Sequence, residues 1–134
     1  MTTERDDIQH LANFRREIRR FLQFSEQAAS EAGLQPQQHQ LLLQIAGAPD
    51  GTLITIGYIA EVLCLRHHTA VELSKRCELA GLLRRTQDPT DRRYVVLDLT
   101  ALGNRALRRL SDVHSQQLRE LAPSLIQALT RIQK

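Results

Sequence analysis

The sequence predicts a mainly α-helical fold that carries one small β-hairpin, and three observations support this prediction. Apolar residues recur at helical spacing over long stretches near both ends of the chain. One strongly β-prone run, residues 94–99, follows a turn sequence at residues 88–91. Aromatic residues make up 4% of the chain and Trp is absent, which favours an aliphatic, helix-rich core over a β-sandwich.

The first part of the chain is predicted to hold two helices, a turn and one short strand. The first helix spans Ile8 to about Ala32 and is followed by a glycine, a residue type common at helix C-termini. A second helix spans Pro36 to Gly47, because proline suits a first helical turn. The Ala-Pro-Asp-Gly sequence at 48–51 is a turn, and Thr52–Ile54 is too short for more than one edge strand.

Two short helices are predicted next. Thr55 can cap a third helix, whose apolar positions continue to Leu63. After a break at residues 65 and 66, a fourth helix spans about His68 to Ala80. Gly81 is expected to end this helix in the left-handed conformation, which glycine tolerates best.

A hairpin and a long helical region complete the chain. Strands at Leu82–Gln87 and Tyr94–Leu99 flank a turn that carries arginines, so the hairpin has a basic tip. Thr100 caps the last helical region, and Pro123 is expected to kink or divide it. No repeat or linker interrupts the sequence, and we predict a single domain over residues 1–134.

Two short helices followed by a hairpin are the plan of a winged helix-turn-helix. In that plan the second helix of the pair enters the major groove of DNA, and the hairpin reaches the flanking backbone or the minor groove. The distribution of charge agrees with this interpretation. Residues 66–93 hold seven basic and four acidic residues, so their net charge of +3 equals that of the whole chain. A basic surplus confined to one segment is typical of a polyanion partner.

Three stretches resemble the wing signature of the multiple-antibiotic-resistance regulator (MarR) family: Gly81–Arg85, Asp88–Arg93 and Leu97–Gly103. Upstream of them, the run from His68 to Glu78 resembles the family's recognition helix. The order of elements matches the family over nearly the whole chain, whereas the specific motif covers about residues 60–103. The resemblance implies a winged helix-turn-helix with long N- and C-terminal dimerisation helices.

The same resemblance implies a homodimer that binds a palindromic operator in double-stranded DNA. Residues 8–32 and 101–134 would be the dimerisation helices, and residues 52–100 would form the DNA-binding winged helix. Release from DNA by a small-molecule effector or an oxidant is frequent in the family, and only the resemblance implies it for this chain.

The fourth helix has a predicted core side and a predicted DNA side. Ala70, Leu73 and Cys77 recur at helical spacing and should face the core. The opposite side carries polar or small side chains that can reach phosphates, base edges or a thymine methyl group; they are His68, Thr69, Val71, Glu72, Lys75 and Arg76, with His67 just before the helix. Glu72 could accept a bond from a cytosine amine, but we expect it to pair with Lys75 or Arg76. The alternative for the whole side is a solvated helix surface.

The hairpin tip is the most specific signal in the sequence. By resemblance to the family, the Asp91 carboxylate braces Arg93 as that guanidinium enters the minor groove, with Arg92 beside it. Arg84 and Arg85 alternate across the strand, so one of them should face phosphate. An Asp91 salt bridge that only holds the turn is the alternative, and the two interpretations are compatible.

The first and last helices carry apolar stripes larger than one small domain needs, which is consistent with dimerisation. The candidate interface residues are Ile8, Leu11, Ile18, Leu118, Leu121, Leu125 and Leu129.

Other functions find little support in the sequence. There is no phosphate loop, glycine-rich nucleotide turn or nucleophile elbow, so we do not expect an enzyme or a bound cofactor. The histidines show no metal-ligand spacing. Cys64 and Cys77 are expected to be buried structural thiols rather than redox sensors.

The sequence also bears on the compartment. No apolar run approaches the roughly 20 residues that span a bilayer, and the polar, acidic start at Met1–Asp7 does not resemble a signal peptide. With two cysteines and no disulfide framework, the expected location is the reducing cytoplasm.

Together these features predict a sequence-specific transcriptional regulator, expected to be a repressor, that binds double-stranded DNA as a homodimer. The alternative is a winged-helix module that binds a protein and has lost DNA binding; Glu72 and the modest net charge keep it open. Salt dependence separates the two, because neutralised phosphates release counterions and make duplex affinity fall steeply with salt.

Overall fold

The computed structural model describes residues 3–133 and contains five α-helices and a two-stranded antiparallel hairpin within them. Residues 1, 2 and 134 of the predicted domain lie outside the described residues. The predicted fold class is confirmed. The elements are α1 (Glu4–Glu31), α2 (Pro36–Ala46), α3 (Ile56–Val62), α4 (His67–Leu79), β1 (Leu83–Gln87), β2 (Val95–Leu99) and α5 (Ala101–Gln133).

Helix α1 begins four residues earlier than predicted. The Asp6 N–H donates to Thr3 Oγ1 at 3.1 Å, and the Thr3 N–H donates to the Asp6 carboxylate at 3.2 Å. This capping box satisfies two N–H groups at the helix start. The first turn is polar, and therefore a search for apolar periodicity does not detect it.

Helix α3 begins as the sequence predicts and ends at Val62, one residue before the predicted last apolar position, Leu63. The Tyr58 N–H donates to Thr55 Oγ1 at 3.1 Å, which confirms Thr55 as the cap. After the helix, Cys64 adopts a φ of 55° and the Leu65 N–H donates to the Ala60 carbonyl at 2.8 Å. This turn produces the predicted break between the two short helices.

Helix α4 begins at His67, one residue before the predicted start. Its predicted core positions Ala70, Leu73 and Cys77 are all fully buried. Gly81 follows the helix with a φ of 79°, which confirms the predicted left-handed stop. The two sides of α4 are therefore assigned as the sequence indicated.

The hairpin lacks the third strand that the sequence allowed. Instead of a strand at Thr52–Ile54, a single bridge joins Thr55 to Val96, and the Leu97 N–H donates to the Ile54 carbonyl at 2.9 Å. Thr55 must already turn into α3 as its cap, so no longer stretch can join the sheet.

Helix α5 is continuous from Ala101 to Gln133, so the division expected at Pro123 is wrong. Proline removes one N–H from the helical ladder and leaves the carbonyl of residue 119 without that donor. Both Arg119 and Pro123 are exposed, and water can bond this carbonyl. The helix runs antiparallel to α1, because His114 contacts Ser25 while Ala128 lies beside Asn13.

The core lies between α2, the α3–α4 pair and the hairpin, and α5 closes one side of it. Its largest fully buried side chains are aliphatic. They come from α2, α3, α4 and both strands of the hairpin: Leu41, Leu42, Ile59, Leu73, Leu83 and Leu97. This core fixes the position of α4 and of the hairpin base.

The two cysteines differ in environment. Cys77 is fully buried, as expected, and burial raises the pKa of its thiol to about 11. Cys64 is exposed, so the expectation of a buried thiol is wrong there. Its position in the left-handed turn after α3 directs the residue out of the helix and away from the core.

The helix α4, the hairpin and helix α5 meet at one point, which we call the wing base (Gly81, Leu82, Thr100 and Gly103). The Thr100 hydroxyl donates to the Gly81 carbonyl at 2.6 Å, and the Thr100 N–H donates to the Leu82 carbonyl at 3.1 Å. Gly103 is buried against Leu82, and a Cβ atom at residue 103 would collide with the Leu82 carbonyl oxygen. The wing base therefore requires glycine at position 103.

Substitution Gly103→Ala should lower the free energy of unfolding by about 3 kcal/mol, because the backbone of Leu82 must move to admit the methyl group. Chemical denaturation measures this change. Gly57→Ala is the matched control: position 57 lies in α3 with no backbone atom near its Cβ, so a gain of about 0.5–1 kcal/mol is expected. Equal effects at the two glycines would contradict the close contact at the wing base.

A buried polar cluster joins α1, α2 and α5. His114 Nδ1 lies 2.7 Å from the Leu110 carbonyl oxygen, and Nε2 lies 2.7 Å from Ser25 Oγ. A carbonyl only accepts, so in the neutral ring Nδ1 donates to it and Nε2 accepts from the Ser25 hydroxyl. The His39 ring lies 4.9 Å from the His114 ring between centroids, and His39 Nδ1 is buried without a hydrogen-bond partner among the described residues.

This cluster should make stability depend on pH. Burial, together with the neighbouring His114 ring, lowers the pKa of His39 below its ordinary value of 6.5. The unfolded chain then binds the proton more readily, so the free energy of unfolding is retained above pH 6.5 and falls as the pH drops below it. The fall should be smaller in His39→Leu, which denaturation between about pH 8 and about pH 5 measures. An identical pH dependence in both proteins would contradict this assignment.

Candidate nucleic-acid interface

The outer side of α4 presents His68, Glu72 and Lys75, which lie opposite its buried side and are exposed. Glu72 Oε1 lies 3.8 Å from Lys75 Nζ, so the expected pairing of Glu72 is confirmed, with Lys75 as its partner. Exposed pairs of this kind contribute about 0.5 kcal/mol. Lys75 can therefore leave this partner at little cost.

The other predicted residues of this helix lie on its two flanks. His67 and Val71 face the hairpin, where they line a cleft together with strand residues. Thr69 and Arg76 lie on the opposite flank, and Arg76 Nη2 donates to Gln37 Oε1 of α2 at 3.4 Å. The predicted DNA side of α4 is thus divided into an outer surface and two flanks.

The hairpin tip holds the predicted pair of Asp91 and Arg93. Arg93 Nε donates to Asp91 Oδ1 at 2.9 Å and Nη2 donates to Oδ2 at 2.6 Å, while the Arg93 N–H donates to Oδ1 at 3.1 Å. The side-chain and backbone bonds from Arg93 lower the pKa of the Asp91 carboxyl, and the carboxylate raises the pKa of the guanidinium. The Arg93 side chain is still 81% exposed, so a braced cation is presented to solvent.

The turn that leads to this pair is itself ordered by side chains. Asp88 Oδ1 accepts bonds from the Thr90 N–H at 3.1 Å and from the Thr90 hydroxyl at 2.9 Å. The Asp88 N–H donates to the Tyr94 carbonyl at 3.0 Å, which closes the loop at its base. The Asp-Pro-Thr sequence is typical of such a turn. The sequence predicts the position of the turn but not the bonds between Asp88 and Thr90.

Arg84 and Arg85 lie on opposite faces of β1, as the alternation predicts. Arg84 is exposed and stands opposite Asp98 across the hairpin. Arg85 is partly buried beside α4, and its Nε atom has no hydrogen-bond partner among the described residues. Arg85 is therefore the one of the two that faces the cleft.

We define the α4–wing cleft as the concavity of about 220 Å³ between α4 and the wing, the latter being β1, β2 and the turn between them. His67 and Val71 form its α4 side, and Arg85 and Arg93 line its wing side. Of the predicted site residues, the structure brings these four together. Arg92 is exposed at the tip outside the lining of the cleft.

Two contributors to this arrangement were not among the predicted site residues. The Tyr94 ring lies below the Arg93 guanidinium, with 5.7 Å from the guanidinium carbon to the ring centroid. Glu78 accepts a hydrogen bond from the Arg85 N–H at 3.0 Å. Tyr94 adjoins the wing motif and could have been noticed there, but the Glu78 contact depends on how α4 meets β1.

Two further observations concern the rest of the surface. Within residues 3–133, no group of three or more His, Cys, Asp or Glu side chains is arranged to hold a metal ion. None of the helices in that part of the chain combines the length and the apolar character needed to cross a membrane.

Comparison with known proteins connects this geometry to a family. Residues 32–93 match the family model described as the MarR family. That span runs from the end of α1 through the helix-turn-helix to Arg93 at the wing tip. No curated protein sequence gives a significant match.

Solved structures show the same fold. The chain is similar to S. aureus MepR in complex with DNA, with a TM-score of 0.71, 23% identity, and coverage of 84% of this chain and 81% of that one. A MarR family protein from Bacillus stearothermophilus gives a TM-score of 0.78 at 20% identity, over 90% and 82% of the two chains. CouR from Rhodococcus jostii RHA1, bound to p-coumaroyl-CoA, gives 0.62 at 23% identity over 73% and 67%. In its wing motif, in the match over residues 32–93 and in its fold, this chain is similar to the MarR family.

Proposed function

We propose that this chain is a sequence-specific transcriptional regulator that binds double-stranded DNA, rather than an enzyme. The observation that carries the proposal is the α4–wing cleft, where an exposed helix and a braced, exposed arginine are presented on one side of the molecule. The similarity of the fold to MepR in complex with DNA supports it. Residues 52–100 would then be the DNA-binding unit.

In this proposal α4 lies in the major groove and the wing tip lies in the adjacent minor groove. His68 and Lys75 on the outer side of α4 bond base edges or phosphates, and Val71 contacts a thymine methyl group. Arg93 enters the minor groove, where a narrow groove concentrates negative potential. Thr69 and Arg76 on the far flank of α4, and the exposed Arg84 and Arg92 on the wing, contact the flanking backbone.

We also propose that the chain acts as a homodimer on a palindromic operator, with residues 8–32 and 101–134 as the dimerisation helices. Exposed apolar side chains support this. Ile8 and Leu11 on α1 are 60% and 53% exposed, and Leu118 and Leu129 on α5 are 41% and 49% exposed. The other candidate interface residues, Ile18, Leu121 and Leu125, are partly covered within the protomer.

Repression is the regulatory outcome that we propose, with relief by a small-molecule effector. A dimer that covers two successive grooves excludes other proteins from the same DNA. The p-coumaroyl-CoA complex of CouR, a protein with a similar fold, supports regulation by a small molecule.

Arg93→Ala should weaken binding to a duplex selected from random DNA by about 1–3 kcal/mol, because the minor-groove contact is lost. Fluorescence anisotropy across a series of salt concentrations measures both the affinity and the number of phosphates neutralised. The thermal stability should not change, since Arg93 is bonded only to residues of the exposed tip.

Arg108→Ala is the matched control, because it removes the same charge from an exposed position on α5 outside the cleft. It should leave the affinity nearly unchanged. If Arg93→Ala and Arg108→Ala bind equally well, the wing has no part in recognition. If the unaltered protein binds no duplex even at low salt, the protein-binding alternative is favoured instead.

Leu129→Glu should shift the protein from dimer towards monomer in sedimentation velocity, because a carboxylate would replace an exposed apolar side chain at the proposed interface. Leu79→Glu is the control, since Leu79 is 90% exposed on α4, away from the dimerisation helices. A dimer that is insensitive to Leu129→Glu would contradict the assignment of this part of α5 to the interface.

A further inference from the structure

We propose that Glu78 is a positioning residue for DNA binding, whose carboxylate holds the wing at a defined angle to α4. The proposal rests on the proposed function and adds a residue that contacts no DNA itself. It concerns the hydrogen bond from the backbone of β1 to a side chain in the last turn of α4.

The contact joins residues on either side of the wing base. Glu78 Oε2 accepts the backbone N–H of Arg85 at 3.0 Å, across the turn at Gly81. Arg85 stands opposite Leu97, and Leu97 donates its own N–H to Ile54 on the far side of β2. Arg85 and Leu97 therefore form a pair without mutual hydrogen bonds, and the Arg85 N–H points away from the hairpin.

The outward-facing edge of β1 leaves the Arg85 N–H for an acceptor outside the hairpin. In the described part of the chain β1 pairs only with β2, so no third strand accepts this N–H. At an exposed sheet edge the acceptor is either water or a side chain. Glu78 is the acceptor that the chain provides.

The local environment of Glu78 gives no other reason for an acidic residue. It lies in the last turn of α4, where the helix dipole disfavours negative charge. It is exposed and has no ion-pair partner within residues 3–133. The bond to Arg85 is thus the interaction that accounts for the carboxylate at this position.

The position of the contact explains what it restrains. The bonds of the wing base hold the hairpin at Leu82, where it leaves α4, and a hairpin attached only there can tilt about that point. The Glu78 bond acts three residues further along, and the Arg85 side chain lines the same cleft as Arg93. A restrained wing is already placed to reach the minor groove when α4 occupies the major groove. The free-energy cost of ordering the wing on binding is therefore lower.

Glu78→Gln and Glu78→Met test the proposal as a matched pair, because both remove the charge and have similar length and helix propensity. Only glutamine retains an oxygen that accepts the Arg85 N–H. Glu78→Gln should bind the selected duplex within about twofold of the unaltered protein, whereas Glu78→Met should bind about fivefold more weakly. Equal affinities for the two variants would overturn the proposal.

The same pair in an Arg93→Ala background separates positioning from a general loss of stability. If Glu78 acts through the wing, the difference between glutamine and methionine should shrink below about twofold once Arg93 is absent. An undiminished difference would overturn the proposal. Glu78→Asp, whose shorter side chain withdraws the acceptor, replaces Glu78→Met in both measurements if the methionine variant does not fold.

Amide exchange at Arg85 tests the contact without DNA. The Arg85 N–H should exchange slowly in the unaltered protein and in Glu78→Gln, and faster in Glu78→Met. Uniform exchange rates in the three proteins would overturn the Glu78 proposal even if the duplex is bound. Absence of duplex binding by the unaltered protein, together with the expected exchange pattern, would instead overturn the proposed function.

Discussion

The close backbone contact at the wing base is the constraint on which the rest of the structure depends. Gly81 turns the chain out of α4, and the absence of a side chain at Gly103 lets α5 begin directly against the Leu82 carbonyl. At the end of β2, the Thr100 hydroxyl donates to the Gly81 carbonyl and so holds the wing base together. Because α4, the wing and the long α5 helix all leave this point, a few closely packed backbone atoms fix where the three elements meet.

The four acidic residues of the basic segment, residues 66–93, make contacts that support α4 and the wing. Three of them accept a hydrogen bond from a residue of the same segment: Glu78 from the Arg85 N–H, Asp88 from Thr90 and Asp91 from Arg93. The fourth, Glu72, forms an ion pair with Lys75. The carboxylates therefore brace α4 and the wing. Of the seven basic residues in the segment, Lys75 and Arg93 are ion-paired within residues 3–133. Arg84 and Arg92 are exposed and have no acidic partner within residues 3–133.

A second junction lies near the start of α2, where the buried ring of His39 lies beside the ring of His114. His39 belongs to α2, which packs against α4, while His114 belongs to α5 and is bonded to Ser25 of α1. The aromatic rings of Phe21 and Phe24 on α1 approach His114 edge-on. A buried imidazole without a partner costs free energy. His39 therefore lowers the stability of the contact between α2 and the long helices.

The sequence by itself determined the elements and the chemistry of the tip. Apolar periodicity, the Thr55 cap and the glycine stop at Gly81 depend on residues close together in the chain, as do the two partners of the Asp91–Arg93 pair. Local interactions of this kind can be recognised from spacing and residue type alone. Apolar periodicity predicts neither the polar capping box at Thr3 nor the exposure of Cys64.

Only the tertiary structure decided how these parts meet. The alternation of β1 indicated that Arg84 and Arg85 differ, but packing against α4 decided that Arg85 enters the cleft. The continuity of α5 through Pro123, the bond from Arg85 to Glu78 and the burial of His39 against His114 likewise depend on which surfaces are covered. Contacts between elements distant in sequence follow from shape and solvent access, and neither quantity can be read from spacing along the chain.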